Sequence, residues 1–165
     1  MRATIRLYIA YWSVQAMGLI CTFFGHRDCP ASIKLKLRAV VVELIVRYGV
    51  DRFYIGRQGA FDAMARVVLQ ELAVEYPHIS YAVVLERLPG PRDKAVWDFS
   101  DTIFPEGLET VLPRLAISKR NDWMLKQADF VVTYITHNWG GAAQYAENAH
   151  RQGKRVLNLA ENCKF

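Results

Sequence analysis

From Gly18 onward, short apolar runs alternate with longer amphipathic ones. The run Leu19 to Phe24 (LICTFF) is short, apolar and stopped by Gly25, which predicts a buried strand. Ser32 to Tyr48 (SIKLKLRAVVVELIVRY) has a candidate cap at Ser32, Glu43 and Arg47 at helical spacing, and Gly49 just past its end. These features predict a helix, although its middle is β-branched. Arg52 to Gly56 (RFYIG) reads as a second strand. After Gly59, Phe61, Met64, Val68 and Leu72 share one helical face until Pro77 ends the run.

Tyr81 to Leu85 (YAVVL) reads as a third strand, and residues 86–111 then show no sustained period. A connection that long inside a compact domain is often functional. Leu112 to Ala128 predicts a helix with Pro113 near its start, where the missing N–H costs nothing. Phe130 to Ile135 (FVVTYI) is the fourth strand, Ala142 to Arg151 the following helix and Arg155 to Leu159 (RVLNL) the last strand. Strands alternating with helices imply right-handed crossovers. The expected fold is therefore α/β, a Rossmann-like three-layer sandwich with a mainly parallel sheet.

The length of 165 residues, 52% hydrophobic, suits one core rather than two, so residues 17–165 read as a single domain. The first sixteen residues superficially resemble a signal peptide, with Arg2 and Arg6 before an apolar stretch. That stretch, Leu7 to Trp12, is short for such a segment and too short to span a bilayer. Residues 1–16 are read instead as an extension upstream of the domain.

The formal charge of +5 is local: residues 1–48 carry seven Lys or Arg against two Asp or Glu, and the remainder fourteen of each. A duplex or single-strand surface would spread its cations over a face, so this pattern argues against nucleic acid as the partner. It leaves a nucleotide-derived small molecule, and allows a homodimer. Three cysteines, Cys21, Cys29 and Cys163, contain no C-x-x-C pair, which fits a reducing cytoplasm better than a disulfide framework. His26 lies three residues before Cys29, but no second pair has ligand spacing, so no metal or other cofactor is expected.

In such sheets ligands bind outside the carboxyl ends of the strands, where strand order reverses. With strand one central, three loops converge there: GHRDCP (Gly25 to Pro30), GRQGAFD (Gly56 to Asp62) and THNWGGAA (Thr136 to Ala143). Two of them bring glycines to a helix start, Gly56 and Gly59 in one and Gly140 and Gly141 in the other. A chain without Cβ turns tightly there, and its free amides and helix dipole favour an anion, most plausibly a phosphate. Arg27 and Arg120 can add charge-assisted bonds, and Asp62 can accept bonds from ribose hydroxyls. Gln58, Thr136 and Ala142 belong to the same loops.

Taken singly, each residue has a plainer reading. The glycines could be turn residues, Asp62 a partner for the helix dipole, Arg120 and Asn121 solvated groups, and His26 a satisfied loop histidine. Trp139 reads first as packing, with a base ring as the alternative. Arg120 and Gly141 both read as lying near the sheet edge rather than in the core. The convergence of three loops favours the site.

Together FFGHRDCP, DRFYIGRQGAFDAMA, DTIFPEGLE, SKRNDWML, DFVVTYITHNWGGAAQYAENA and KRVLNL resemble the SLOG superfamily, in its YpsA-like branch, from about Gly18 to Leu159. That superfamily includes the Lonely-guy phosphoribohydrolases, the DNA-processing Smf/DprA protein that loads recombinase on single strands, and sensor domains for nucleotide-derived signals. The resemblance implies a Rossmann-like fold and a nucleotide-type ligand at Gly140 and Gly141. It aligns Arg120 with the ribohydrolases' catalytic Arg. Their glycine loop continues with Thr and a catalytic Glu, whereas Ala142 and Gln144 stand here.

A carboxylate stabilises the cation-like sugar of glycosidic cleavage or activates water, and Gln144 can do neither. Glu147, one turn on, is the nearest substitute, with Asp62 and Asp101 as others. The favoured expectation is thus a non-catalytic binding module or sensor for a nucleotide or nucleotide-derived ligand. The alternatives are a nucleoside monophosphate phosphoribohydrolase using Arg120 and Glu147 and, third, a single-stranded DNA binder.

Overall fold

The structure is a computed structural model and describes residues 18–94 and 98–161. The reading of residues 1–16 as an extension lies outside the described residues. Six strands form one sheet: β1 (Leu19–Gly25), β2 (Val50–Ile55), β3 (Ser80–Val84), β4 (Thr102–Ile103), β5 (Phe130–Tyr134) and β6 (Arg155–Asn158). Their order is β4-β3-β2-β1-β5-β6 and every pair is parallel. The fold is α/β and Rossmann-like.

Helices cover both faces. Along β1, Cys21 and Phe23 pack with Leu37, Val41 and Leu44 of α1 (Ile33–Tyr48) and with Phe61, Val68 and Leu72 of α2 (Gly59–Glu75). Phe24 points the other way, towards Met124 and Leu125 of α4 (Ala116–Gln127) and Tyr145 and Ala149 of α5 (Gly141–Arg151). β5 divides in the same way, with Phe130 and Val132 on the first face and Val131 on the second. The period-2 alternation of a strand buried on both faces therefore builds two apolar layers from one continuous apolar run. A single turn of helix, α3 (Pro91–Lys94), lies in the long connection after β3.

Three sequence expectations change. The stretch 86–111 holds β4, which pairs with β3 (Val83↔Thr102, Val84↔Ile103); two residues are too few to show a period. The run from Leu112 is not one helix but a 3₁₀ turn, Pro113–Leu115, followed by α4. Ser32 makes no side-chain cap bond and has helical dihedrals itself. Gly49 does end α1 as read, in the left-handed conformation at φ 70°, with its N–H donating to the Leu44 carbonyl. No helix among the described residues is long and apolar enough to cross a membrane.

The topology positions the site. From β1 the chain steps outward through β2, β3 and β4, then returns to lay β5 on the opposite side of β1. Strand order reverses at β1, so the loops leaving β1 and β5 diverge and open a crevice at their carboxyl ends.

Candidate functional site

A cleft of about 740 Å³ occupies that crevice, lined by the loops after β1, β2 and β5 and by α4. Gly25, His26, Arg27, Gly56, Gln58, Asp62, Arg120, Asn121, Thr136, Trp139, Gly140, Gly141 and Ala142 all line it. Gly59 does not. It is a hinge at φ +88°, where a Cβ would come 2.7 Å from the Arg27 Cα. Glu147 is also outside the lining, exposed and 4.0 Å from Arg151 one turn along α5, while Asp101 is paired with Arg66 at 2.8 Å.

One wall is the start of α5. Gly140 at φ 91° turns the chain into the helix, and no side chain among the described residues caps the first turn. A Cβ on Gly141 would meet nothing within 4 Å among the described residues, and its backbone is not left-handed. Neither packing nor strain thus accounts for glycine there. Gly140, Gly141 and Ala142 at the start of this eleven-residue helix line the cleft, with the positive end of its dipole behind them.

Beside those amides three rings stack. His26 lies on His137 with centroids 3.6 Å apart and planes 16° from parallel, and His137 lies on Trp139 at 3.8 Å and 15°. Trp139 is 70% exposed, so the packing reading does not hold for it. The column runs from the cleft out to solvent. Burial, and then the neighbouring His137, hold the His26 imidazole below its ordinary pKa.

The floor is charged. Asp62 and Arg120 are 7% and 1% exposed. Asp62 Oδ2 accepts from the Gln58 amide at 2.8 Å. Arg120 Nε donates to Asn121 Oδ1 at 2.8 Å and Nη1 to the Val84 carbonyl at 2.9 Å. Behind them Glu86 lies 3.8 Å from Arg120 and accepts from both Arg57 Nε and Nη2, at 3.1 and 2.8 Å. Burial is the largest single influence on Glu86 and opposes its ionisation, but the Arg57 hydrogen bonds, with Arg57 and Arg120 nearby, together hold it below the usual carboxylate range.

Arg120 is therefore no solvated edge residue. It is a buried cation balanced by two carboxylates, because α4 lays it against the ends of β2 and β3.

Burial pushes the Asp62 carboxyl up to about 6, against the Gln58 hydrogen bond and the Arg120 charge. A folded pKa above the unfolded value means that the native state holds the extra proton. Stability from this group is then full below about 4 and is lost as pH rises through about 6. Relative to Asp62→Asn, the wild-type protein is expected to lose about 2–3 kcal/mol of unfolding free energy between pH 4 and pH 7. Urea titrations of both proteins across that range check it; parallel pH profiles would show that Asp62 is ionised at its ordinary pKa.

Sequence reasoning missed Phe23, Phe24, Asp28, Ile117, Met124 and His137 in the lining, and Arg57 and Glu86 behind the floor. His137 and Trp139 are two apart in one quoted loop, and that spacing was the available signal for a ring pair. Glu86 directly follows a buried strand at the ligand edge of the sheet, which marks it in the same way.

No family model matches the chain, and no curated protein does. Solved structures do. The fold is shared with DNA processing protein A. The structure of that protein from Streptococcus pneumoniae superposes with a TM-score of 0.61 at 15% identity, over 86% of this chain and 50% of that one. The protein from Helicobacter pylori, described for its single-stranded DNA binding mode, gives 0.58 at 13% identity over 85% and 64%. This chain thus spans between half and two thirds of those proteins.

The likeness corrects one sequence expectation. Local basicity argued against a nucleic-acid partner, yet this fold includes a protein with a single-stranded DNA binding mode. A strand site combines cations along a groove with rings that stack on bases, and the order of charges along the sequence does not show which of them meet in a groove.

Proposed function

We propose that the chain binds single-stranded nucleic acid, with one phosphate against the first amides of α5 and a base lying on Trp139. The observation that carries this is the ring column, His26 on His137 on an exposed Trp139, directly beside an uncapped helix start. Every base has a face that stacks on an indole, and a strand supplies bases and phosphates at the alternating spacing such a surface fits. The exposed Arg27 at the rim adds a cation. The DNA processing protein A fold supports the same reading.

A free nucleotide, sensed rather than cleaved, is the second reading. It is favoured by the polar floor and by a cleft large enough for a whole mononucleotide. Neither reading needs glycosidic chemistry, since Gln144 and Glu147 are both exposed on α5 outside the cleft lining. The ordered motifs support the YpsA-like branch, and the free thiols Cys21 and Cys29 support a reducing compartment such as the cytoplasm.

The test is fluorescence titration with an eight-nucleotide single strand. Wild-type protein is expected to bind with quenching, and Trp139→Ala to bind more weakly by about 1–3 kcal/mol, the worth of one stacked base. Equal binding by both proteins would remove the stacking platform. Binding of mononucleotides alone would favour the second reading.

A further inference from the structure

We propose that the outer face of α1 and α2 docks a second copy of this chain, so that the protein forms a symmetric dimer with one cleft on each copy. The inference rests on these two helices and stands apart from the nucleotide reading.

α1 is apolar on two opposite sides. Leu37, Val40, Val41, Leu44 and Ile45 turn to the sheet and are buried. Leu35, Ala39, Val42 and Val46 follow one another at steps of four, three and four residues, which sets them in one stripe along the opposite side. Val42 is half-buried and the other three are exposed. α2 repeats the arrangement, with Phe61, Val68, Leu69 and Leu72 inward and Ala60, Ala63, Val67 and Val74 exposed at steps of three, four and seven. A solvated helix carries polar residues on the side away from its core. Two neighbouring helices that both break this rule on the same face of the sheet make an apolar surface of the kind that marks a protein contact.

The charges around that surface decide what it takes. Lys34 donates to Glu71 at 2.7 Å and Arg38 to Glu75 at 2.6 Å, both reaching from α1 to α2, and Arg47 donates to Glu43 at 2.9 Å along α1. Three cations meet three carboxylates, so these groups add no net charge. A nucleic acid or an acidic protein finds no spare cation among them. A second copy needs none. The chain carries +5 overall, so two copies meet with least repulsion where the surface is neutral, and at a two-fold contact each presents the same stripes and the same paired charges to the other.

The dimensions agree. Sixteen residues make α1 about 24 Å long, and two helices about 10 Å apart give a footprint of about 500 Å² per copy, near the total of about 1,000 Å² at which specific interfaces begin. The apolar run Leu7 to Trp12 would span about 20 Å if extended, enough for one stripe but not for two. None of the eight stripe residues lines the cleft, and α4 and α5 pack on the other face of the sheet, so a dimer leaves both clefts open.

Sedimentation equilibrium of the full chain across the micromolar range tests this. Wild-type protein is expected to approach twice 18.9 kDa and to fall towards 18.9 kDa on dilution. Leu35→Glu and Val74→Glu change side chains that are 80% and 81% exposed, so each variant is expected to keep its melting temperature. Each is expected to raise the dissociation constant at least about 10-fold, because its carboxylate would be buried in the contact. Leu88→Glu, exposed outside this face, is expected to leave the dimer intact. A wild-type monomer at every concentration overturns the inference, and a lowered melting temperature of Leu35→Glu in that monomer would give the stripe to the chain's own amino-terminal segment. A dimer that survives both stripe substitutions, or that Leu88→Glu dissociates equally well, overturns the assignment to this face.

Discussion

Gly141→Glu is expected to abolish binding of single strands and mononucleotides while the melting temperature stays level or rises. The two effects have one origin. A Cβ at position 141 meets no atom of the described residues within 4 Å, and the backbone there is not left-handed, so a side chain enters without clash or strain. Inside a first helical turn, Glu is the better residue: it has the higher propensity, by up to about 1 kcal/mol over glycine, and its charge complements the dipole. That same carboxylate stands where the ligand's phosphate is proposed to go, adding steric exclusion to repulsion. Gly141→Ala, small and neutral, separates the two effects and should keep binding. Calorimetric titration of each variant alongside its melting curve is the measurement. Unimpaired binding by Gly141→Glu would reduce the glycine pair to a turn.

Arg120→Ala is expected to cost about 3–5 kcal/mol of folding stability, measured by urea denaturation at pH 7. The sequence suggests an edge residue whose removal leaves the fold intact, but Arg120 is 1% exposed and stands between Glu86 and Asp62. Its loss leaves the Val84 carbonyl without its donor and two buried carboxylates with only Arg57, which faces Glu86. Loss of ligand binding in this variant therefore says nothing about the ligand unless the protein is shown to be folded. A stability change under 1 kcal/mol would mean that water reaches the floor and solvates both carboxylates.

The parts of the fold legible in the sequence are those written as runs. Leu19 to Phe24 and Phe130 to Ile135 are apolar throughout because the strands are covered on both faces, and Gly49 punctuates α1 by its dihedral needs. The cleft that forms the candidate site was legible as three glycine-bearing loops because strand order fixes where loop ends meet. What escaped depends on contacts between distant segments. β4 is two residues long and exists through its pairing with β3. The burial of Arg120 follows from α4 lying across the ends of β2 and β3, which no local pattern encodes. The ring column requires His26 and His137, 111 positions apart, to meet.

The loop after β1 is tied on both sides. The His26 amide donates to the Tyr134 carbonyl at 3.1 Å, and the Ala60 amide donates to the Arg27 carbonyl at 3.0 Å. These two bonds stitch the end of β1 to the end of β5 and to the first turn of α2, so the three walls of the cleft form one backbone unit. A ligand entering it finds its partners already in position. Little conformational entropy is then left to lose on association, because the chain holds the walls of the cleft in place before anything arrives.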